Sequence, residues 1–86
     1  MSETLPDIDF GTFVMSLASS VLVHLGEITH PESSADETNL ALVKQTIDIL
    51  GMLQDRTRGN LSQEEDQLLT NLLYDLRMKY VAAKSR

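Results

Sequence analysis

The sequence has no cysteine and no tryptophan, and it has only two prolines among its 86 residues. Without cysteine, neither a disulfide framework nor a thiolate metal site can add stability to the fold. A single domain of this length buries too little of its own surface to be comfortably stable alone. We therefore expect helix packing and association with another chain to supply the remaining stability.

Basic residues are also scarce, because seven Lys and Arg stand against 13 Asp and Glu, for a net charge of -6. An acidic surface repels phosphate backbones, so nucleic acid is not an expected partner. The first residues, from Met1 to Asp7, carry acids where a secretory signal needs a basic patch. We therefore expect a cytoplasmic location.

No charged residue occurs over residues 10–25, where the apolar positions have the period of a helix. Residues 1–8 have no such period, which predicts a flexible lead-in. Asp9 is placed to cap a helix over residues 9–25, and Gly26 is placed to end it. The apolar positions cover more than half of this helix's circumference: Phe10, Phe13, Val14, Leu17, Ala18, Val21, Leu22 and Leu25.

A second helix is predicted after a loop that carries turn residues and no hydrophobic repeat. Ser34 followed by Glu37 fits a capping box, although Asp36 or Thr38 could cap instead, so this helix is expected over residues 36–58. Two adjoining apolar stripes indicate contact with two neighbours. The first stripe is Leu40, Val43, Ile47 and Leu50, and the second is Leu42, Ile49 and Leu53.

A third helix is predicted over residues 62–83, followed by a frayed C-terminus at 84–86. Ser62 and Glu65 form a second capping box, and the acids of the first turn suit the positive end of the helix dipole. Gly59 is placed to end the preceding helix. One broad apolar face follows: Leu68, Leu69, Leu72, Leu73, Leu76 and Tyr80.

Together these helices predict an all-α fold with one domain over residues 9–83. The link between the second and third helices is so short that they must form an antiparallel hairpin. The first helix, on a longer connection, could pack on either side of this hairpin or against another chain. Because the first helix is so apolar, we expect oligomerisation to complete the fold.

Charge is missing even from the less apolar side of the first helix, where a surface helix normally carries charged residues. Thr12, Ser16 and Ser20 lie four residues apart there, a spacing of small residues that lets helices approach closely. We interpret them as candidates for an oligomer interface; a solvated serine-rich face is the alternative. The run is too short and too rich in hydroxyls for a membrane span, and its flanking acids disfavour a lipid surface.

A second candidate interface lies on the third helix. Tyr74, Met78 and Val81 are spaced by four and three residues, away from the leucine face. Tyrosine and methionine are enriched at protein interfaces, and so few helices cannot easily bury a second apolar stripe. Packing between copies of the chain is the first interpretation, and a different protein partner is the alternative.

Polar residues near the end of the first helix could in principle form a site. Ser20, His24 and Glu27 have the residue types of a nucleophile, a base and an orienting acid, but a helix interior offers no free amides to an oxyanion. His24, Glu27 and His30 are a thin ligand set for zinc without cysteine. No phosphate-binding loop or dinucleotide fingerprint occurs, so we predict no cofactor, no metal and no catalytic residue.

Several stretches of the sequence resemble a known family. They are DFGTFVMSLA at 9–18, VHLGEI at 23–28, NLALVKQTIDIL at 39–50, TRGNL at 57–61 and LYDLRMKY at 73–80. They resemble the bacterial family DUF1844, a domain of unknown function, from Asp9 to about Val81. The resemblance implies a small helical cytoplasmic protein, and it brings no substrate, cofactor or catalytic residue.

The sequence therefore favours a non-enzymatic, homo-oligomeric helical interaction or adaptor module. Its conspicuous features are all features of packing or helix capping. The alternative is a small enzyme or ligand-binding protein whose site forms between subunits near His24 and Glu27.

Overall fold

The computed structural model describes residues 7–26 and 39–85. This part of the chain forms three helices and no strand, as the sequence predicts. Helix α1 spans Phe10–Leu25, α2 spans Leu40–Arg56 and α3 spans Gln63–Lys84.

Both ends of α1 are set by the residues that the sequence indicates. The amide of Thr12 donates to Asp9 Oδ1 at 2.7 Å, which satisfies one of the unpaired amides of the first turn. Gly26 has a φ of 84°, the left-handed conformation that favours glycine, and its amide donates to carbonyls of the last turn. The predicted boundaries of this helix are therefore correct to within one residue.

Helix α2 begins later than the predicted start at residue 36. Asn39 is its N-cap, because the Asn39 side chain accepts a hydrogen bond from the amide of Leu42 at 3.1 Å. Asn39 has non-helical backbone angles, and its own amide donates to the carbonyl of His24 at 2.9 Å. The helix therefore does not continue backwards through Asn39. The caps predicted within residues 34–38 lie outside the described residues.

The connection between α2 and α3 combines a left-handed glycine with a reciprocal cap. Helix α2 ends at Arg56, two residues before the predicted end, and Gly59 has a φ of 85°. The amide of Glu65 donates to Ser62 Oγ at 3.1 Å, and the amide of Ser62 donates to Glu65 Oε1 at 2.9 Å. The structure thus confirms the predicted capping box.

The C-terminal end of α3 lies one residue beyond the prediction. Lys84 is helical, and Ser85 caps the helix with an amide that donates to the carbonyl of Val81 at 3.1 Å. Residues 84 and 85 therefore continue the ordered helix end where fraying was expected, while Arg86 lies outside the described residues.

Contacts between α2 and α3 establish the antiparallel hairpin. Gln54 Nε2 donates to Thr70 Oγ1 at 3.1 Å. Three residues back along α2, a Cβ added to Gly51 would lie 3.2 Å from Nη2 of Arg77, which is seven residues further along α3. Contact positions therefore move in opposite directions along the two helices.

Helix α1 packs on both members of the hairpin within the same chain. Its C-terminal end adjoins the start of α2 through the bond from Asn39 to His24. Its N-terminal end adjoins the start of α3, where a Cβ on Gly11 would lie 3.6 Å from Leu68. Helix α1 is therefore antiparallel to α2 and parallel to α3, which the sequence does not predict.

One aliphatic core joins the three helices. Each helix contributes residues at alternating spacings of four and three, so one stripe of each helix faces the centre. Among the described residues, no polar or charged side chain is buried. The buried residues are Val14, Ala18, Val21 and Leu25 of α1, Val43, Ile47 and Leu50 of α2, and Leu69, Leu73 and Leu76 of α3.

The apolar faces predicted from the helical wheels are wider than the buried stripes. Phe13 was assigned to the covered side of α1, but 41% of its surface is exposed, and Leu42 of α2 is 38% exposed. Leu72 and Tyr80 pack against the core without being fully enclosed. Three helices cover only one side of each helix, so residues at the edges of a wide apolar face remain at the surface.

Candidate functional site

The most unusual surface of the chain is the outward side of α1. We call it the outer face of α1 and define it by its exposed residues Thr12, Phe13, Met15, Ser16 and Ser19. Phe13 is 41% exposed and Met15 is 46% exposed. Helix α1 contains no Asp, Glu, Lys or Arg. This chain therefore presents to solvent an uncharged face that carries two large apolar side chains and three hydroxyl groups.

Two of the three predicted interface residues on α1 lie on this face. Thr12 and Ser16 are exposed, whereas Ser20 is partly buried at its edge. Ser16 Oγ donates to the carbonyl oxygen of Thr12 at 3.0 Å, so its hydroxyl proton is used within the helix. At Thr12 and Ser16 the side chains are therefore short, and the hydroxyl of Ser16 is satisfied within the helix.

A shallow depression runs between α1 and α3 along the outer face. Its volume is about 530 Å³, and it opens broadly to solvent. Its lining includes Thr12, Met15, Ser16 and Ser19 of α1 and Leu68 of α3. Sites for small molecules enclose most of their ligand, so this open shape suits a protein surface better than a small ligand.

The second predicted interface, which we call the outer stripe of α3, is also exposed. Tyr74, Met78 and Val81 are 65%, 57% and 59% exposed. Beside Tyr74 and Met78 lies a groove of about 250 Å³ that Gln54 and Arg77 also line. The outer stripe of α3 therefore faces outward on the side of α3 that lies next to α2. The outer face of α1 lies next to the opposite side of α3.

Acidic side chains cluster at the N-terminal ends of α1 and α3. Asp9, Glu64 and Glu65 line one depression of about 330 Å³. The hydrogen bond from the amide of Thr12 holds the pKa of Asp9 below its ordinary value. Asp9 is therefore charged at neutral pH. The three acidic side chains lie at the N-terminal ends of two parallel helices, where acids suit the positive ends of the helix dipoles.

The polar residues near the end of α1 are not assembled into a site by the described residues. His24 is partly buried, and within residues 7–26 no hydrogen bond joins its side chain to Ser20. Glu27 and His30 lie outside the described residues. In the described segments, no three His, Asp or Glu side chains are close enough together to hold a metal ion.

Sequence reasoning missed the most exposed apolar residues of α1. Phe13 was assigned to the covered side, and Met15 was not singled out. Met15 lies about a quarter turn from the buried stripe, at the edge of α1 that adjoins α3, where it lines the depression with Leu68. Ile8, just before α1, is 70% exposed.

None of the three described helices is both long enough and apolar enough to cross a membrane. The fold and the exposed surfaces define a small three-helix bundle with an uncharged outer face. The chain belongs to the family described as Domain of unknown function (DUF1844), whose model matches residues 7–82. No curated protein and no solved structure matches it.

Proposed function

We propose that this chain is a non-enzymatic, homo-oligomeric helical interaction module that associates through the outer face of α1. The observation that carries this proposal is the exposure of Phe13 and Met15 on a helix of 16 residues without a formal charge. Helices on the surface of a monomer normally turn charged residues towards water.

The charge of the whole chain supports a second copy as the occupant of this face. Two copies that each carry a net charge of -6 repel one another where their acids meet. The outer face of α1 is a surface on which two copies can meet without opposing acids. Association there would also remove Phe13 and Met15 from water, which stabilises the complex in proportion to the apolar area buried.

The outer stripe of α3 supports a second contact between copies. Tyr74, Met78 and Val81 together present a tyrosine, a methionine and a branched aliphatic side chain, all more than half exposed. Tyr and Met are enriched at protein interfaces. Because the stripe and the outer face of α1 adjoin different sides of α3, one chain can use both surfaces at once. A different protein bound to this stripe is the alternative partner.

The test is to place a charge in the outer face of α1 and to measure the mass of the assembly by light scattering. Wild-type protein should scatter as a multiple of the chain mass of 9.6 kDa at micromolar concentration. Ser16→Lys should lower this mass, because the interface would bury an unpaired ammonium group. Its helical content should be unchanged, because Ser16 is exposed in the single chain.

Two control variants separate the effect of charge from other effects. Ser16→Ala removes the hydroxyl without adding charge and should keep the wild-type mass. Gln45→Lys adds the same charge at an exposed position of α2 and should also keep it. A monomeric wild-type protein, or an unchanged mass for Ser16→Lys, would contradict the proposed function.

A further inference from the structure

The depression beside the outer face of α1 and the groove beside the outer stripe of α3 contain charges of opposite sign. We propose that the outer face of α1 in one copy meets the outer stripe of α3 in the next copy. This proposal rests on the proposed function, because it names which surface of a second copy covers each of the two. Each chain then has two neighbours, one at each surface.

The depression beside the outer face of α1 offers carboxylates and no cation. Asp9 is the one charged side chain among the described residues that line it. Asp9 Oδ1 accepts from the amide of Thr12, and a carboxylate can accept further hydrogen bonds beside this one. Glu64 and Glu65 line the adjoining depression, which also includes Asp9 and Leu68. This half of the contact therefore presents acids beside apolar side chains.

The groove beside the outer stripe of α3 offers a guanidinium group instead. Arg77 is the one charged side chain among its described lining residues, and its Nη2 lies 3.2 Å from where a Cβ of Gly51 would be. No hydrogen bond or ion pair joins Arg77 to another described residue. One turn before and one turn after Gly51, Asp48 and Asp55 are each paired with a base of the same chain at 2.7 Å. Asp75 lies on the other flank of the stripe, away from this groove.

Contact between the two unlike surfaces gives each of these charges an opposite partner. Met78 and Arg77 are neighbours on α3, so Arg77 lies beside the carboxylate of Asp9 when Met78 enters the depression lined by Met15 and Leu68. Two outer faces placed on each other would bring together depressions that hold acids and no cation. Two outer stripes would bring together grooves that hold arginine and no acid. Apolar burial supplies affinity in each case, and charge selects which surfaces meet.

The directions of the two surfaces determine the smallest assembly that can close. They lie next to opposite sides of α3, so one neighbour cannot cover both. A contact between unlike surfaces continues from copy to copy until a ring closes. We therefore expect the wild-type mass to be at least three times the chain mass of 9.6 kDa. A wild-type dimer would overturn the inference, because two copies can close only through like surfaces.

A mixture of two variants tests whether unlike surfaces meet. Ser16→Lys blocks the outer face of α1 and leaves the outer stripe intact, whereas Met78→Glu blocks the outer stripe and leaves the outer face intact. Each variant alone should be a monomer by light scattering, because every contact needs one surface of each kind. An equal mixture should form pairs with twice the chain mass of 9.6 kDa, one chain of each variant in every pair.

The other outcomes of the mixing experiment are equally informative. Assembly of either variant alone would show that like surfaces meet, which would overturn the inference. A mixture that stays monomeric at every concentration would overturn it as well. A monomeric wild-type protein would instead contradict the proposed function itself.

Reversal of one charge tests the role of Arg77 in the contact. Arg77→Glu should raise the protein concentration at which assembly is half complete, because it sets an acid against Asp9 of the next copy. Arg56→Glu makes the same change of charge at an exposed position at the end of α2, and it should leave that concentration unchanged. An equal shift for both variants would overturn the pairing of Arg77 with Asp9.

Discussion

Leu69 and Leu72 lie three residues apart on α3, but only Leu69 is fully enclosed by the three helices. Leu69 is 0% exposed, while Leu72 packs against the core from its edge. Removal of a buried side chain costs its transfer free energy and the cost of the cavity that remains, and an edge position can refill with water. The two leucines should therefore differ in what they contribute to stability.

We predict that Leu69→Ala lowers the free energy of unfolding by about 2–5 kcal/mol. Leu72→Ala should lower it by less, because part of this side chain is already in water. Urea denaturation followed by circular dichroism would measure both values, at one fixed protein concentration because association adds to stability. Equal losses for the two variants would show that the core is not centred on Leu69.

Individual side chains on the edge of an apolar face were the hardest to predict from the sequence. The wheel of α1 gives Phe13 and Val14 similar apolar character, yet Val14 is 0% exposed and Phe13 is 41% exposed. Burial depends on how far the neighbouring helices extend around α1, and this is set by packing between elements. The sequence pattern of one helix therefore fixes the centre of its buried stripe better than its width.

At the scale of the helices, the two glycines of the hairpin have opposite roles. Gly59 follows the end of α2 and has a φ of 85°. A residue with a side chain adopts this left-handed conformation at a cost of about 1–2 kcal/mol. Gly51 lies within α2 with helical angles, where glycine is about 0.5–1 kcal/mol less favourable than alanine. The Cβ of an alanine there would meet only the flexible end of Arg77.

We therefore predict that Gly59→Ala lowers the free energy of unfolding by about 1 kcal/mol, whereas the matched change Gly51→Ala raises it by about 0.5–1 kcal/mol. Chemical denaturation of both variants beside the wild type would measure the difference. If Gly51→Ala is as destabilising as Gly59→Ala, then the Arg77 side chain of α3 cannot move away from the added methyl group. Packing would then fix the position of this side chain against α2.

The sequence predicts a helix end correctly where only one nearby residue can act as the cap. Asp9, Gly26, Ser62 and Glu65 are each found in the capping role that their spacing indicates. The start of α2 was not predictable, because several residues before Asn39 can cap a helix. The choice of Asn39 depends on its bond to His24, a contact between elements that no local pattern shows.

At the scale of the whole molecule, the two exposed surfaces should each contribute to the assembly. Met78→Lys places a charge in the outer stripe of α3 and should lower the assembly mass without changing the helical content. The double variant with Ser16→Lys should be a monomer of about the chain mass of 9.6 kDa. Light scattering at several concentrations measures each species.

Gln45→Lys, at an exposed position of α2 outside both surfaces, is again the control and should keep the wild-type mass. If Met78→Lys also keeps the wild-type mass, the outer stripe of α3 does not join copies of this chain. A partner of different sequence would then be the remaining use of that surface.

The all-helical class and the antiparallel hairpin follow from the sequence, because the periods, caps and short link agree. The place of α1 did not follow, because a long connection permits several positions. Contacts of its two ends with Asn39 and Leu68 determine that it runs parallel to α3. The exposure of the interface candidates could not be predicted from the sequence for the same reason. It depends on which side of each helix the bundle covers.

The aliphatic core has a consequence for how the protein responds to acid. Among the described residues no buried side chain can bind or release a proton, so acidity acts on this part of the fold through its surface groups. Asp9 is one such group. Because its pKa is lowered in the folded chain, the stability from its cap is present at neutral pH and is lost as the pH falls through that lowered pKa.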